Sequence, residues 1–311
     1  MTSPALQCQD LRKSYGQHAV LKGINLKVEQ GSIHGLVGLN GAGKTTTLEC
    51  VLGLQSSDAG EISLLGFGPE HLYSAHGKIA VVFDSPCLHP HLTVRQCLNY
   101  ARLACPNTSM SAEQLEKLLG IERYSHFKVR QLSLGNRRRT SIAQALINQP
   151  QLIILDEPFN GLDAGGVDDV LKLIQQLNKD HGTSFLLASH QLSYLEKICT
   201  HMAILHNGQI CLSETMSNLL NSDETVVIVH TSNDNQARVV LGQIDGIELL
   251  SNNNDLTSAT DSTSGILCRL GNLSSSQLNA QLVKLGVEVE QLILQKPSLE
   301  SLFYATIEEQ E

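Results

Sequence analysis

Eight consecutive residues, Gly38-Leu39-Asn40-Gly41-Ala42-Gly43-Lys44-Thr45, constrain this chain more than any other feature of it. They follow the pattern G-x-x-x-x-G-K-[ST] between a short apolar run (residues 31–38) and a helical pattern (residues 43–54), so strand, tight turn and helix start must succeed one another here. Gly41 and Gly43 let the backbone turn its N–H groups inward around an anion, and the positive end of the helix adds a favourable field. Lys44 supplies a point charge for β- and γ-phosphates, the Thr45 hydroxyl a ligand for Mg2+, and Thr46 continues the same first turn. The pattern predicts a nucleoside triphosphate site, for ATP with Mg2+. A plain glycine-rich turn with an exposed lysine does not require the flanking strand and helix.

Downstream, residues 152–157 form an apolar strand that ends on two carboxylates, Asp156 and Glu157. Alone, such an ending is often a solvated strand terminus. Beside a phosphate loop it predicts that Asp156 holds Mg2+, directly or through water, and that Glu157 polarises the attacking water.

At 311 residues the chain exceeds one ordinary domain. Short β-rich runs at residues 31–38, 79–83, 152–155 and 184–188 alternate with helical or loop segments, which predicts an α/β domain with a largely parallel sheet. Residues 92–145 read as helix after helix, with Ser111-Ala112-Glu113 marking one start, so a helical subdomain is expected at about residues 85–150 within an ATP-binding domain of residues 1–220. Residues 221–311 change composition and predict a small α+β accessory domain. Its strands are expected at 225–231, 247–250, 265–270 and 287–294 and its helices at 235–244 and 275–285, the β-α-β-β-α-β order of a ferredoxin-like sandwich, interrupted by a polar stretch at 251–264.

The remaining composition excludes classes of partner. A net charge of −9 opposes nucleic acid as the main ligand, and the eight scattered cysteines, without a C-x-x-C pair, read as reduced thiols. Residues 1–10 lack a secretory pattern, and no apolar run approaches the roughly 20 residues a spanning helix needs. Arg137-Arg138-Arg139 reads as part of a helix start rather than a nucleic-acid patch, and His89-Pro90-His91 as a loop facing a membrane partner, since no third metal ligand is near.

With these residues in place, residues 5–220 resemble the nucleotide-binding subunits of ATP-binding cassette (ABC) transporters. Leu132-Ser133-Leu134-Gly135-Asn136 is similar to the family signature L-S-G-G-Q, which in that family caps the γ-phosphate held by the opposite subunit; Ser133 and Gly135 are retained, Leu134 and Asn136 depart. The resemblance assigns Asp163, in Asn160-Gly161-Leu162-Asp163, to the loop crossing the dimer interface, His190 to the switch histidine on the γ-phosphate, and Tyr15 to the ring stacked on adenine. Asp84 stands where the family has a glutamine that touches Mg2+ or water; it is expected to ligate Mg2+ through water while crowding Asp156 and Glu157 with a third negative charge.

The resemblance implies a P-loop ATPase that dimerises head-to-tail with a second ATP-binding subunit, most simply its own copy. It implies a separate integral-membrane permease, contacted around residues 84–98 at the cytoplasmic face of the inner membrane. The tail at residues 297–303 resembles that of exporter-type subunits for antibiotics, peptides or lipids. The competing readings are a weakly hydrolysing regulatory ATP-binding module and a soluble ABC ATPase acting away from membranes.

Overall fold

A computed structural model describes residues 3–85, 87–105, 110–220, 225–250, 265–271, 273–295 and 299–308. The chain divides into two compact units, Met1–Met216 and Ser217–Glu311. The polar stretch at 251–264, Pro297 and Ser298 lie outside the described residues.

The first unit begins with β1 (Leu6–Tyr15) and β2 (His18–Val28), then β3 (Ile33–Val37), α1 (Lys44–Val51), β4 (Ala59–Leu64) and β5 (Ile79–Val82). Three helices follow: α2 (Val94–Leu103), α3 (Ala112–Leu118) and α4 (Leu134–Ala145). The unit is completed by β6 (Leu152–Asp156), α5 (Ala164–His181), β7 (Ser184–Ser189), α6 (Leu192–Ile198), β8 (His201–His206) and β9 (Gln209–Thr215). A short helix, α7 (Met216–Leu220), crosses the boundary between the units.

Six strands form one sheet in the order β5-β6-β7-β3-β8-β9, parallel except for β9. β3, β6 and β7 are buried along their whole length, which is why they read as continuous apolar runs rather than alternating ones. Their register fixes the site. Val82 lies level with Leu155, Asp156 with Ala188, and Val37 with Ser189, so the residues just beyond β5, β6, β7 and β3 all emerge at the carboxyl edge of one sheet.

A second sheet was not legible as such: β2-β1-β4, wholly antiparallel, with β1 paired to both neighbours. Its buried side chains Leu6, Leu11, Ile24 and Leu26 share one core with Leu48 and Val51 of α1 and with Leu36, Ile154 and Leu186 of the parallel sheet. Each such side chain contributes on the order of 1.5–3 kcal/mol on burial. The core therefore clamps α1, and with it the phosphate loop, between two sheets.

The helices after β5 start where their sequences cap them. Thr93 and Ser111 each accept from the N3 amide, of Gln96 and Gln114 respectively, while those glutamine side chains accept from the cap amides; such capping contributes about 1 kcal/mol per helix. Arg95 of α2 grips Glu116 of α3 through Nε (2.7 Å) and Nη2 (2.6 Å), and the Ser125 hydroxyl donates to the same buried carboxylate.

The second unit contains β10 (Thr225–Thr231), α8 (Asp234–Leu241), β11 (Ile247–Leu249), β12 (Ile266–Leu270), α9 (Ser275–Lys284), β13 (Val289–Gln295) and α10 (Leu299–Glu308). Its antiparallel sheet has the order β11-β12-β10-β13, the ferredoxin-like arrangement, and Val227, Val229, Ile266 and Cys268 on one face meet Leu241, Leu278 and Leu282 of the helices.

Candidate functional site

The loop between β3 and α1 has its backbone turned as an anion cradle. Gly41 and Gly43 adopt φ of +84° and +111°, and a Cβ at Gly43 would also press on Leu21 of β2 at 2.9 Å. Lys44 is 7% exposed, so its ammonium must find acceptors: Nζ donates to the carbonyls of Gly38 (2.7 Å) and Leu39 (3.4 Å) and lies 3.7 Å from Glu157 Oε1. Thr45 is exposed on the first turn of α1, next to Thr46.

Glu157 follows β6 with φ +45°, a left-handed conformation that costs a non-glycine residue on the order of 1–3 kcal/mol. The surroundings hold it there. Its amide donates to Ala188 O (2.8 Å), the Ser189 hydroxyl donates to Oε2 (2.9 Å), and His190 Nδ1 lies 2.8 Å from Oε1. The carboxylate is thus presented between Lys44 and His190, which is itself about half exposed.

Asp156 is 4% exposed, and its Oδ1 has no hydrogen-bond partner. Burial, then the charges of Glu157 and Asp84, push its pKa up from 3.8 to about 6, against the opposing pull of Lys44 and Arg138. An orphaned, buried carboxylate oxygen with the charges of Glu157 and Asp84 acting on it suits a hard divalent cation such as Mg2+. Among the described residues no three His, Cys, Asp or Glu side chains converge to hold a metal by themselves.

Asp84, just past β5, joins this edge of the sheet. Its Oδ1 accepts from Asn160 Nδ2 (3.0 Å) and from Arg138 Nη2 (3.1 Å). The crowding of three carboxylates expected from the sequence is therefore relieved in part by a cation that sequence reasoning had treated only as part of a basic run. Arg138 is 1% exposed, and burial lowers its pKa from the usual value.

Ser133 and Gly135 are not hydrogen-bonded to the phosphate loop of their own chain. Ser133 caps α4 by accepting from Asn136 N (3.3 Å), and a Cβ on Gly135 would stand 3.3 Å from Leu162 and 3.4 Å from Gly161 O. Leu134, the departure from the signature, lies over Gly161, whose φ of +75° and contact with that side chain both exclude a Cβ. Asp163 caps α5 by accepting from Gly166 N (2.8 Å). Tyr15 ends β1 at the hairpin with its ring 47% exposed and Lys13 Nζ 5.4 Å from the centroid. His89 and His91 have rings 5.9 Å apart and belong to no metal cluster among the described residues.

The structure also names residues the sequence did not: Ser189 on Glu157, and Gln191, whose side chain reaches Asn160. No motif spacing flags either one, because each acts on a neighbour's side chain.

The ABC transporter family profile matches residues 21–160. The uncharacterised ABC transporter ATP-binding protein YdbJ of Bacillus subtilis (strain 168) is 33% identical over 232 residues, 73% of this chain and 75% of that protein. This chain belongs to the ABC transporter ATP-binding proteins. The bacitracin transport ATP-binding protein BcrA of Bacillus licheniformis is 29% identical over 310 residues, 98% of each chain, so this ABC subunit matches it beyond the cassette. A solved ATP-binding subunit of an ABC transporter superposes at TM-score 0.63 with 29% identity, covering 69% of this chain and 91% of that one. A dimeric post-hydrolysis state of the cassette MJ0796, bound to ADP and Pi, superposes at TM-score 0.61 with 25% identity, covering 68% and 98%. The ABC subunit is accordingly an ATPase that serves transport, and among its described residues no helix is long and apolar enough to cross a membrane.

Proposed function

We propose that this chain hydrolyses ATP with Mg2+ to drive export through a separate integral-membrane permease, working as a dimer, most simply of two copies of itself. The observation that carries the reading is the placement of Glu157: a strained residue whose carboxylate is held between Lys44, Ser189 and His190, next to the buried, orphaned Asp156. Gly38, Leu39, Asn40, Gly41, Ala42, Gly43, Lys44, Thr45 and Thr46 would cradle the phosphates, and Tyr15 would stack on the base. Thr45 and Asp156, with Asp84 through water, would hold Mg2+, which when bound supplies charge neutralisation at the transferring phosphoryl group.

The protein's own groups do the rest. Lys44 leaves its two backbone carbonyls for phosphate oxygens. Glu157 orients the attacking water and accepts its proton, and His190 fixes the Glu157 carboxylate through Nδ1. Ser133 and Gly135, at the start of α4, would complete the partner's site, with Asp163 capping α5. The likeness to the bacitracin transport protein BcrA, over 98% of each chain, supports an antibiotic cargo; residues 221–311 would serve an accessory or regulatory role, and the subunit would work at the cytoplasmic face of the inner membrane through the permease. Phosphate release from the purified chain tests the reading: wild type should turn over, and Glu157→Gln should lose at least about a hundredfold in rate while still binding ATP. Equal rates for the two proteins would refute it.

A further inference from the structure

Helix α4 begins at the signature and, one turn later, buries a guanidinium at the carboxyl edge of the parallel sheet. Arg138 Nη1 donates to Phe83 O (2.5 Å), and Nη2 donates to both the carbonyl and Oδ1 of Asp84. The same Asp84 oxygen accepts from Asn160, Asn160 Oδ1 accepts from Gln191 Nε2 (2.9 Å), and the backbone N–H of Gln191 donates to Ser189 Oγ (3.1 Å). Ser189 then donates to Glu157 Oε2. A series of polar contacts, joined through the side chain of Gln191 itself, thus runs from α4 to the carboxylate proposed to act on water.

We propose that Arg138 is a positioning residue for hydrolysis: by holding Asp84 it ties the signature helix to the segment that carries Glu157, so that the two halves of the composite site move as one. This rests on the hydrolytic reading of Glu157 given above. Three features of the molecule support it.

Charge comes first: Asp84 and Glu157 both act through space on Asp156, and the buried Arg138 pairs with Asp84, which is half exposed. Geometry is second. The guanidinium fork engages two consecutive carbonyls as well as the carboxylate, which fixes the end of β5 against α4 in a way a lysine ammonium would not reproduce. Third, Leu134 packs over Gly161 at the start of the same helix, so α4 meets the loop following Glu157 there and the end of β5 one turn later through Arg138. Arg138 acts through these groups and is placed to touch neither nucleotide nor water.

The test is a double-mutant cycle in the full chain with Asp84→Gln, Arg138→Gln and the pair together, read by ATP turnover and by thermal unfolding without nucleotide. Arg138→Gln strands a carboxylate beside two others. It should lower kcat by about tenfold or more while KM for ATP stays within about twofold, because the phosphate loop is untouched. Asp84→Gln strands a buried guanidinium and should lower the unfolding temperature by on the order of 3–6 °C, a modest figure because Asp84 is half exposed.

The double variant exchanges an ion pair for two amides; because Asp84 also stands among the groups proposed to hold Mg2+, its kcat should stay below wild type but above that of Arg138→Gln, a loss smaller than the product of the single losses. Arg138→Lys keeps the charge without the fork and should fall between wild type and Arg138→Gln; with Asp84→Asn it also serves should a glutamine variant fail to fold. Wild-type kcat in Arg138→Gln, or losses in the double variant equal to the product of the single ones, would overturn the proposal. Were wild type itself to bind ATP and turn over none, the hydrolytic reading would fall, while additive unfolding temperatures would separately refute the coupling of α4 to Asp84.

Discussion

Asp156→Asn should make the nucleotide-free protein more stable while abolishing its turnover. The carboxylate is 4% exposed with one oxygen unpaired, and its pKa rises from 3.8 to about 6, chiefly through burial. At about 1.4 kcal/mol per pH unit, the ionised side chain costs the fold about 3 kcal/mol. The sign follows from a raised carboxylate pKa: the proton-linked stability is fully present below pH 3.8 and is lost as pH rises through about 6, so the cost is complete at pH 8 and about half at pH 5.

Asparagine removes the charge but leaves a neutral polar atom without a partner, which returns about 1–2 kcal/mol of that gain. The expected net effect is a stabilisation of about 1–2 kcal/mol at pH 8 that shrinks as the pH is lowered. Chemical denaturation of both proteins in chelator, without nucleotide, at pH 8 and pH 5 measures it. A variant less stable than wild type at pH 8, or a difference independent of pH, would refute the view that Asp156 is a destabilised ligand kept for a cation.

Two further outcomes follow from the same geometry. Gly161→Ala meets both a φ of +75° and the Leu134 side chain; it should cost about 1–3 kcal/mol in unfolding experiments and lower turnover, whereas unchanged stability would show that Leu134 yields freely. His190→Ala removes the Nδ1 contact that orients Glu157 and should lower kcat by about 10²-fold or more with ATP affinity nearly unchanged; a loss confined to KM would place His190 in binding instead.

How much of this was legible in the sequence depended on the range of the interactions involved. The phosphate loop and the strand ending in Asp156-Glu157 could be read directly, because strand, turn and helix start are local and their residue types have few alternatives. The ferredoxin-like order of the second unit was likewise readable from short alternating runs. The β2-β1-β4 sheet was not, since its pairing of β1 with β4 joins segments about fifty residues apart and β1 carries register shifts that blur the period-two pattern.

The Arg138–Asp84 pair was missed for the same reason: a basic run at a helix start reads as surface until the fold carries the end of β5 beneath it. The strain at Glu157 also lies beyond sequence reading, because nothing in the apolar strand before it announces a left-handed residue.

In the proposed dimer each ATP site is built from the loop of one subunit and the signature of another. Mixing two inactive variants tests it most directly. Lys44→Ala disables the loop of its own chain, and Ser133→Arg disables the signature offered to the partner, so a mixed dimer retains one intact site and carries both defects at the other. The account predicts that each variant alone hydrolyses ATP at background rates and that mixing them restores turnover, rising with the fraction of mixed dimer toward roughly half the wild-type rate per dimer, as expected for one of two equivalent sites. Full activity of Ser133→Arg on its own, or no recovery on mixing when the mixed dimer demonstrably forms, would contradict it.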